Sequence, residues 1–425
     1  MPPDTLYALS SGQPPAAVAI VRISGPLALQ VVQALTGRPV APRRPSLREL
    51  RHEGELLDRA LILFFNAPGT ATGEDVAELH LHGGRAVVAA VLRALSRIPG
   101  LRHAEPGEFT RRAFANGRID LAEAEGLADL LAAETEGQRR SALQLASGAL
   151  SRQIANWTGR VLGLAAAIEA QLDFSDEGDV AASLAESWYE ERRSLLTEID
   201  EFIARPPAER MRDGIKVVIA GPPNSGKSTL LNAMVGRDAA ITSDIAGTTR
   251  DLIEVPVAIC GIPFLLVDSA GLRESRDHVE QIGVGRARSA VDVADLVLWL
   301  GLPAERPQRP NVIVVAAKAD LHAPRDEANL SVSAVVGTGM DLLVELLVKE
   351  AQRLLPPEGE VAINARQRAA LLDVSLHLAA AEDEQDLLLA AEELRQARAA
   401  LDRITGRSGV EDMLNALFGR FCIGK

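Results

Sequence analysis

Cysteine is nearly absent: Cys260 and Cys422 are the only two in 425 residues, far apart and without metal-ligand spacing. That excludes a disulfide-stapled fold and a structural zinc site, and it suits a reducing compartment. Aromatic residues make up 3% of the chain, which leaves little material for platforms that stack nucleic-acid bases. Long apolar runs are missing too. The longest stretch, residues 161–172, is interrupted by Glu169 and is too short to span a bilayer. With no signal peptide at the start, the expectation is a cytoplasmic protein without a membrane association. Lysine occurs five times against 40 arginines, so each lysine at a motif position is informative.

Hydrophobic residues reach 47% and charged residues 24%, so the chain is expected to be globular and, at this length, divided into several domains. The net charge of −13 argues against an overall polyanion-binding surface. It is unevenly spread: residues 1–118 carry net +4 and residues 119–425 net −17, so a phosphate-rich partner would meet particular patches.

The hydrophobic period changes three times along the chain. Residues 1–118 mix short strand-like runs (16–24, 60–65, 76–82) with helical ones (26–35, 85–97), which predicts an α+β domain. Residues 119–210 become Ala/Leu-rich and amphipathic, as expected of helices. Between residues 211 and 353 buried strands (215–220, 264–267, 296–300, 312–316) alternate with helices (227–235, 279–290, 342–350), the pattern of a parallel sheet covered on both faces. Residues 354–425 return to helix, at 365–404 and 410–421. Two helical segments flanking an α/β unit lack packing partners unless they meet each other. The expectation is therefore a multidomain protein in which one discontinuous all-α domain is interrupted by an inserted α/β module.

The strongest motif is Gly221-Pro222-Pro223-Asn224-Ser225-Gly226-Lys227-Ser228, a phosphate-binding loop between a buried strand and a helix that continues through Thr229. Backbone N–H groups and the helix N-terminus would hold nucleotide phosphates, Lys227 would neutralise them and Ser228 would ligate magnesium. A second element, Asp268-Ser269-Ala270-Gly271, ends a later strand, where its carboxylate can hold magnesium through water and the Gly271 N–H can approach a γ-phosphate. Between them lies Ser243-Asp244-Ile245-Ala246-Gly247-Thr248-Thr249-Arg250-Asp251, a polar loop whose Thr249 would join the magnesium only when a γ-phosphate is present, as in a switch.

Base choice falls to Lys318 and Asp320. The Asp320 carboxylate accepts from the guanine N1–H and amino group, which adenine does not offer. Ser333-Ala334 fits the last base loop. The position before Lys318, an Asn in the usual signature, is Ala317, which predicts weaker guanine affinity with specificity kept by Asp320. After Gly271 stands Leu272, whose side chain does not hydrogen-bond the attacking water, so that role falls to Glu280 at the start of the next helix. No arginine finger is evident, so another cation must answer the transition-state charge. His80 and His82 alternate on one strand face, but without further ligands they do not make a metal site.

These motifs, with residues 21–25, 72–75, 81–84, 106–110, 116–122 and the terminal Phe421-Cys422-Ile423-Gly424-Lys425, resemble the tRNA uridine-5-carboxymethylaminomethyl modification GTPases, the MnmE/TrmE family, over nearly the whole length. The resemblance implies an N-terminal domain that dimerises and binds a tetrahydrofolate derivative (the 5-formyl or 5,10-methylene form), a helical domain, and an inserted Ras-like G domain binding GTP and GDP. It implies that Asn224, Ser243, Ile245 and Thr248 hold a potassium ion in place of the arginine finger, that Ser228 and Thr249 are magnesium ligands, and that Glu280 is catalytic. For the folate it implies Arg22, Glu78, Arg118 and Lys425, with Arg118 replacing a customary Lys, and it suggests Cys422 as a thiol near the modification chemistry. The implied partners are a second copy in a homodimer, a flavoprotein carrying FAD in a heterotetramer, and tRNA. The alternative is an RNA-binding or ribosome-assembly switch GTPase. Such a protein would need a basic appendage, and this chain ends in an acidic helical segment.

Overall fold

A computed structural model describes residues 4–173, 184–237, 253–268, 289–322, 328–357, 359–383, 386–407, 414, 417–419 and 421–425. They fall into two compact units, residues 1–128 with 402–425, and residues 129–401.

In the first unit, β1 (Thr5–Leu9), β2 (Val18–Ser24), β3 (Ser46–His52), β4 (Glu55–Phe65), β5 (Val76–His82) and β6 (Leu101–His103) form one sheet in the order β3-β4-β5-β2-β1-β6. All neighbours are antiparallel except β1 and β6. Period-two alternation decides its faces. Ala19, Val21, Ile23, Ile62, Phe64, Ala77, Leu79 and Leu81 are buried in one core with Val31, Val32 and Leu35 of the Ala28–Thr36 helix and Val88, Val91 and Leu95 of the Arg85–Ser96 helix. The intervening residues, Ile20, Arg22, Leu61, Leu63, Glu78, His80 and His82, line the opposite face.

Part of that face is covered by the Glu108–Ala115 helix, whose Phe109 packs with Leu6, Ala8 and Ala104. The C-terminal tail joins the same unit. Ile423 bridges Pro106, and the Ser10 hydroxyl donates to the Gly424 carbonyl at 2.8 Å. Gly424 has φ +99, and a Cβ there would lie 2.1 Å from the Leu9 carbonyl oxygen, so this close approach requires glycine.

In the second unit, β7 (Ile215–Ala220), β8 (Ile253–Ile259), β9 (Ile262–Asp268), β10 (Leu296–Trp299), β11 (Val312–Ala317) and β12 (Leu330–Val332) form a sheet in the order β12-β11-β10-β7-β9-β8, parallel apart from the β8–β9 hairpin. Val217 and Ile219 point into a core shared with Leu230 and Met234 of the Lys227–Arg237 helix and with Leu343 and Leu347 of the Met340–Leu354 helix. Val218 and Ala220 face a second core with Ala290 and Ala294. Burial on both faces explains why β7 reads as an unbroken apolar run.

The discontinuous helical domain expected from the sequence is present. The Glu186–Ile203 helix packs on the Ala365–Asp383 helix, from the other side of the inserted sheet in chain order. A buried Arg192 joins them, donating to the Leu378 carbonyl at 2.8 Å and to the Glu382 carboxylate. The helical stretch expected at 365–404 is two helices, Ala365–Asp383 and Leu387–Thr405. Among the described residues no helix is long and apolar enough to cross a membrane.

Candidate functional site

At the C-terminal edge of the parallel sheet, β7 ends at Ala220 and the chain turns through residues 221–226 into the Lys227–Arg237 helix. Gly221 (φ +151) passes so close to its neighbours that a Cβ would sit 3.1 Å from Ser225 Oγ and 3.2 Å from the Leu300 carbonyl carbon. Asn224 adopts the left-handed region at φ 59, which Asn tolerates better than most residues. Lys227 is buried, and its ammonium donates to the Gly221 and Pro222 carbonyls at 3.1 and 2.9 Å, so the cation lies across the loop. The Ser225 hydroxyl is buried with no partner among the described residues. A concave loop of this kind, with a helix N-terminus, a cation and an unsatisfied polar atom, suits a phosphate chain.

Asp268 ends β9 in register with Ile219 of β7 and is 1% exposed. Its Oδ2 accepts the Ser228 hydroxyl at 2.5 Å. A hydroxyl and a carboxylate this close beside a phosphate loop are the hard oxygen donors that magnesium prefers, and the pair fits such an ion.

The base-recognition residues form the other end of the site. Lys318 (φ 61) donates from Nζ to the Asn224 carbonyl at 2.8 Å, tying this loop to the phosphate loop. The Ser333 hydroxyl, fully buried, donates to Asp320 Oδ1 at 2.6 Å, and its oxygen accepts the Val336 N–H at 3.2 Å. The Ser333 hydrogen bond, followed by one from the Asp320 backbone N–H and the charges of His322 and Lys318, holds the Asp320 carboxyl below the usual carboxylate range. The carboxylate therefore stays ionised and able to accept from a base edge. Ala334 follows in the same loop.

Ala317 ends β11 with its Cβ 3.9 Å from where a Cβ at Gly226 would lie. Its side chain offers no hydrogen bond between the two loops. Restoring it, Ala317→Asn, is expected to tighten GDP binding by about tenfold, the effect of one added hydrogen bond in a dry site. Isothermal titration would show this, and an unchanged dissociation constant would mean that the Lys318–Asn224 link already braces the loops.

The structure thus brings together Gly221, Asn224, Ser225, Gly226, Lys227, Ser228, Asp268, Lys318, Asp320 and Ser333 at one sheet edge, with Thr229 exposed on the first helical turn. Ser243, Asp244, Ile245, Ala246, Gly247, Thr248, Thr249, Ser269, Ala270, Gly271, Leu272 and Glu280 lie outside the described residues.

On the open face of the N-terminal sheet, Arg22 and Glu78 are direct cross-strand partners. Arg22 donates from Nε and Nη2 to Glu78 Oε1 at 3.2 and 2.9 Å, and its guanidinium lies 5.8 Å from the centre of the Phe109 ring. Glu78 Oε2 is 3.4 Å from His80 Nε2. Both ends of the pair remain partly exposed, at 26% and 18%. A carboxylate and a guanidinium side by side fit a heterocycle with an N–H and amino edge. Arg118 lies beside Gly73, and Lys425 ends the tail that docks on β1. Neither forms an ion pair with the Arg22–Glu78 pair among the described residues. Cys422 is exposed and its carbonyl accepts from Gly107 at 3.5 Å.

Sequence reading missed one further pair on the same sheet. His82 Nδ1 lies 2.7 Å from Asp58 Oδ1. The alternating histidines were visible in the sequence, but their carboxylate is 24 residues away on another strand, and no local pattern points to it.

Comparison with known proteins agrees with this organisation. Residues 5–118 match the family described as GTP-binding protein TrmE N-terminus, and residues 121–422 match the MnmE helical domain. Proteins named tRNA modification GTPase MnmE are similar over nearly the whole chain. The one from Rhizorhabdus wittichii is 61% identical across 99% of this chain and 97% of its own. Those from Sphingopyxis alaskensis and Erythrobacter litoralis are 56% and 54% identical, across 95% and 99% of this chain and the whole of their own. Among solved structures, the G domain of the T. maritima FeoB iron transporter matches 32% of this chain and 99% of its own, at 26% identity and a TM-score of 0.25. Two family matches that together run from residue 5 to residue 422, and relatives above half identity from end to end, lead to one assignment: the chain belongs to the MnmE family of tRNA modification GTPases.

Proposed function

We propose that the chain is a GTP hydrolase that, with a flavoprotein partner carrying FAD, modifies carbon 5 of the wobble uridine in certain tRNAs, adding an aminomethyl or carboxymethylaminomethyl group. The amine would come from ammonium or glycine and the carbon from a tetrahydrofolate derivative. The observation that carries this reading is the convergence of the Gly221–Ser228 loop, Asp268 and Asp320 at one edge of a parallel sheet, in a chain of this family.

Residues 1–118 form the folate-binding and dimerising domain in this reading, residues 119–210 with 354–425 the helical domain, and residues 211–353 the G domain. In the G domain, Lys227 neutralises phosphate oxygens, the loop N–H groups orient them, and Asp320 selects guanine. Ser228 and Thr249 would hold magnesium, with Asp268 placed beside it, and the ion supplies charge neutralisation at the phosphates. Asn224, Ser243, Ile245 and Thr248 would hold potassium, which supplies the positive charge an arginine finger gives elsewhere. Glu280 orients the attacking water because Leu272 does not. Glu280→Ala is therefore expected to retain GTP affinity and lose hydrolysis by about 100-fold or more. Stopped-flow binding combined with phosphate release measures both, and undiminished hydrolysis would remove Glu280 from the mechanism.

On the N-terminal sheet, Glu78 accepts the amino edge of the pterin, and Arg22, Arg118 and Lys425 are the cations for the carboxylates of the folate's glutamate tail. Cys422 sits exposed on the docked tail, as a thiol near the modification chemistry should. The test of the whole reading is mass spectrometry of wobble uridines in tRNA from cells lacking this chain. Loss of the carbon-5 substituent is expected, and fully modified tRNA would refute the reading.

A further inference from the structure

We propose that His82 transfers a proton to the one-carbon carrier bound on the N-terminal sheet, with Asp58 as its positioning residue. This rests on the reading of Arg22 and Glu78 as the folate site. The Asp58 side chain is 7% exposed, whereas that of His82 is 74% exposed. Asp58 Oδ2 accepts the His82 backbone N–H at 2.9 Å, and Oδ1 accepts the Arg59 N–H at 2.8 Å. Those two bonds satisfy a backbone donor beside the bulge in β4 and another at the end of β5, which would be enough for a purely structural carboxylate. The third, between Oδ1 and the His82 ring at 2.7 Å, adds nothing to the backbone. A carboxylate only accepts, so Nδ1 carries the hydrogen and the neutral ring keeps its lone pair on Nε2. Nε2 makes no hydrogen bond among the described residues. A buried carboxylate that fixes the tautomer of an imidazole whose other nitrogen faces solvent is the arrangement of a proton-transfer pair.

Its position gives it a substrate. His82, His80 and Glu78 share one face of β5, so at about 3.3 Å per residue His82 stands about 13 Å along the strand from Glu78. That is close to the length of a reduced pterin from its amino edge to its bridge nitrogens, with a hydrogen bond at each end. Between the two, Ile20 and Leu61 flank His80 in register and form an apolar strip that a flat ring can cover. With the 5,10-methylene form, the protonated His82 ring gives its Nε2 proton to N10 as the N10–carbon bond breaks with its electron pair left on N10, and the N5 lone pair closes an N5–carbon iminium that the carbon acceptor then attacks. Asp58 holds the ring through both states, and solvent restores the proton.

The test uses the full chain labelled with nitrogen-15 histidine, followed by NMR, together with tRNA modification reconstituted with the flavoprotein partner. The His82 ring should show the Nδ1–H tautomer and lose that preference in Asp58→Asn, and saturating 5-formyltetrahydrofolate should move its Nε2 resonance. His82→Ala should hydrolyse GTP within about twofold of wild type and still bind the folate through Glu78, though more weakly for the lost hydrogen bond, yet at saturating folate modify tRNA about 100-fold more slowly, and added imidazole should restore part of the rate. A His82→Ala variant that modifies tRNA at the wild-type rate, or an Nε2 resonance unmoved by bound folate, would overturn the proposal. Should Glu78→Ala bind 5-formyltetrahydrofolate as tightly as wild type, the folate site itself is misplaced and the proposal falls with it. Loss of binding in Glu78→Ala together with full activity in His82→Ala rejects the proton-transfer role alone.

Discussion

Replacing Asp268 with asparagine is expected to lower GTP turnover by at least about 100-fold. Asp268 lies almost wholly buried at the end of β9, one strand from the phosphate loop, with Ser228 donating to it at 2.5 Å. Asparagine has nearly the same shape and still offers an oxygen to the Ser228 hydroxyl, so the fold and the loop should survive. What it removes is a negative charge beside the position proposed for magnesium, in surroundings where charge is poorly screened. The loss should therefore appear in hydrolysis and in the magnesium concentration needed for half-maximal rate, with GDP affinity in the absence of magnesium nearly unchanged. Turnover within twofold of wild type would show that Asp268 does not serve the metal.

Arg192→Ala is expected to destabilise the helical domain by about 3 kcal/mol, chiefly the cost of the cavity left by a large, fully buried side chain, since the Glu382 carboxylate it leaves is partly exposed. The Arg192 side chain has no exposed surface and reaches both the Leu378 carbonyl and the Glu382 carboxylate across the helix contact. Truncation leaves a cavity, a carbonyl without its donor and a carboxylate without its cation, between the two helical segments that the inserted sheet separates in sequence. A thermal midpoint lower by roughly 6–12 °C should follow, read by circular dichroism. Arg192→Lys should recover only part, because one ammonium does not reproduce a planar fork that reaches two acceptors. An unchanged midpoint would mean that apolar packing alone joins the helices.

The inserted sheet was legible because its strands are buried on both faces and read as apolar runs, as at residues 215–220. Its edge strand Ile253–Ile259 was not. Pro256 interrupts the strand signal and is tolerated there because β8 pairs on one side only. In the N-terminal sheet, Ser46–His52 was missed because Arg48, Glu49 and Arg51 make it look like a solvated loop, and Leu101–His103 because three residues carry no period. The nucleotide loop could be read residue by residue, since its chemistry is contiguous in sequence. The contacts that shape the sites could not: Ser333 with Asp320, Lys318 with Asn224 and His82 with Asp58 are pairings fixed by tertiary structure. Equally out of reach is Arg192 with Leu378, which spans 186 residues and joins two amphipathic segments that need a common core.

In the proposed mechanism a monovalent cation completes hydrolysis, because the sequence has Leu272 at the position where a water-orienting side chain would be needed. Steady-state GTP hydrolysis of the full chain in potassium and in sodium at equal ionic strength isolates the part that cation plays. Turnover should be brisk in potassium and at least about tenfold slower in sodium; equal rates in the two salts would remove the cation from the mechanism.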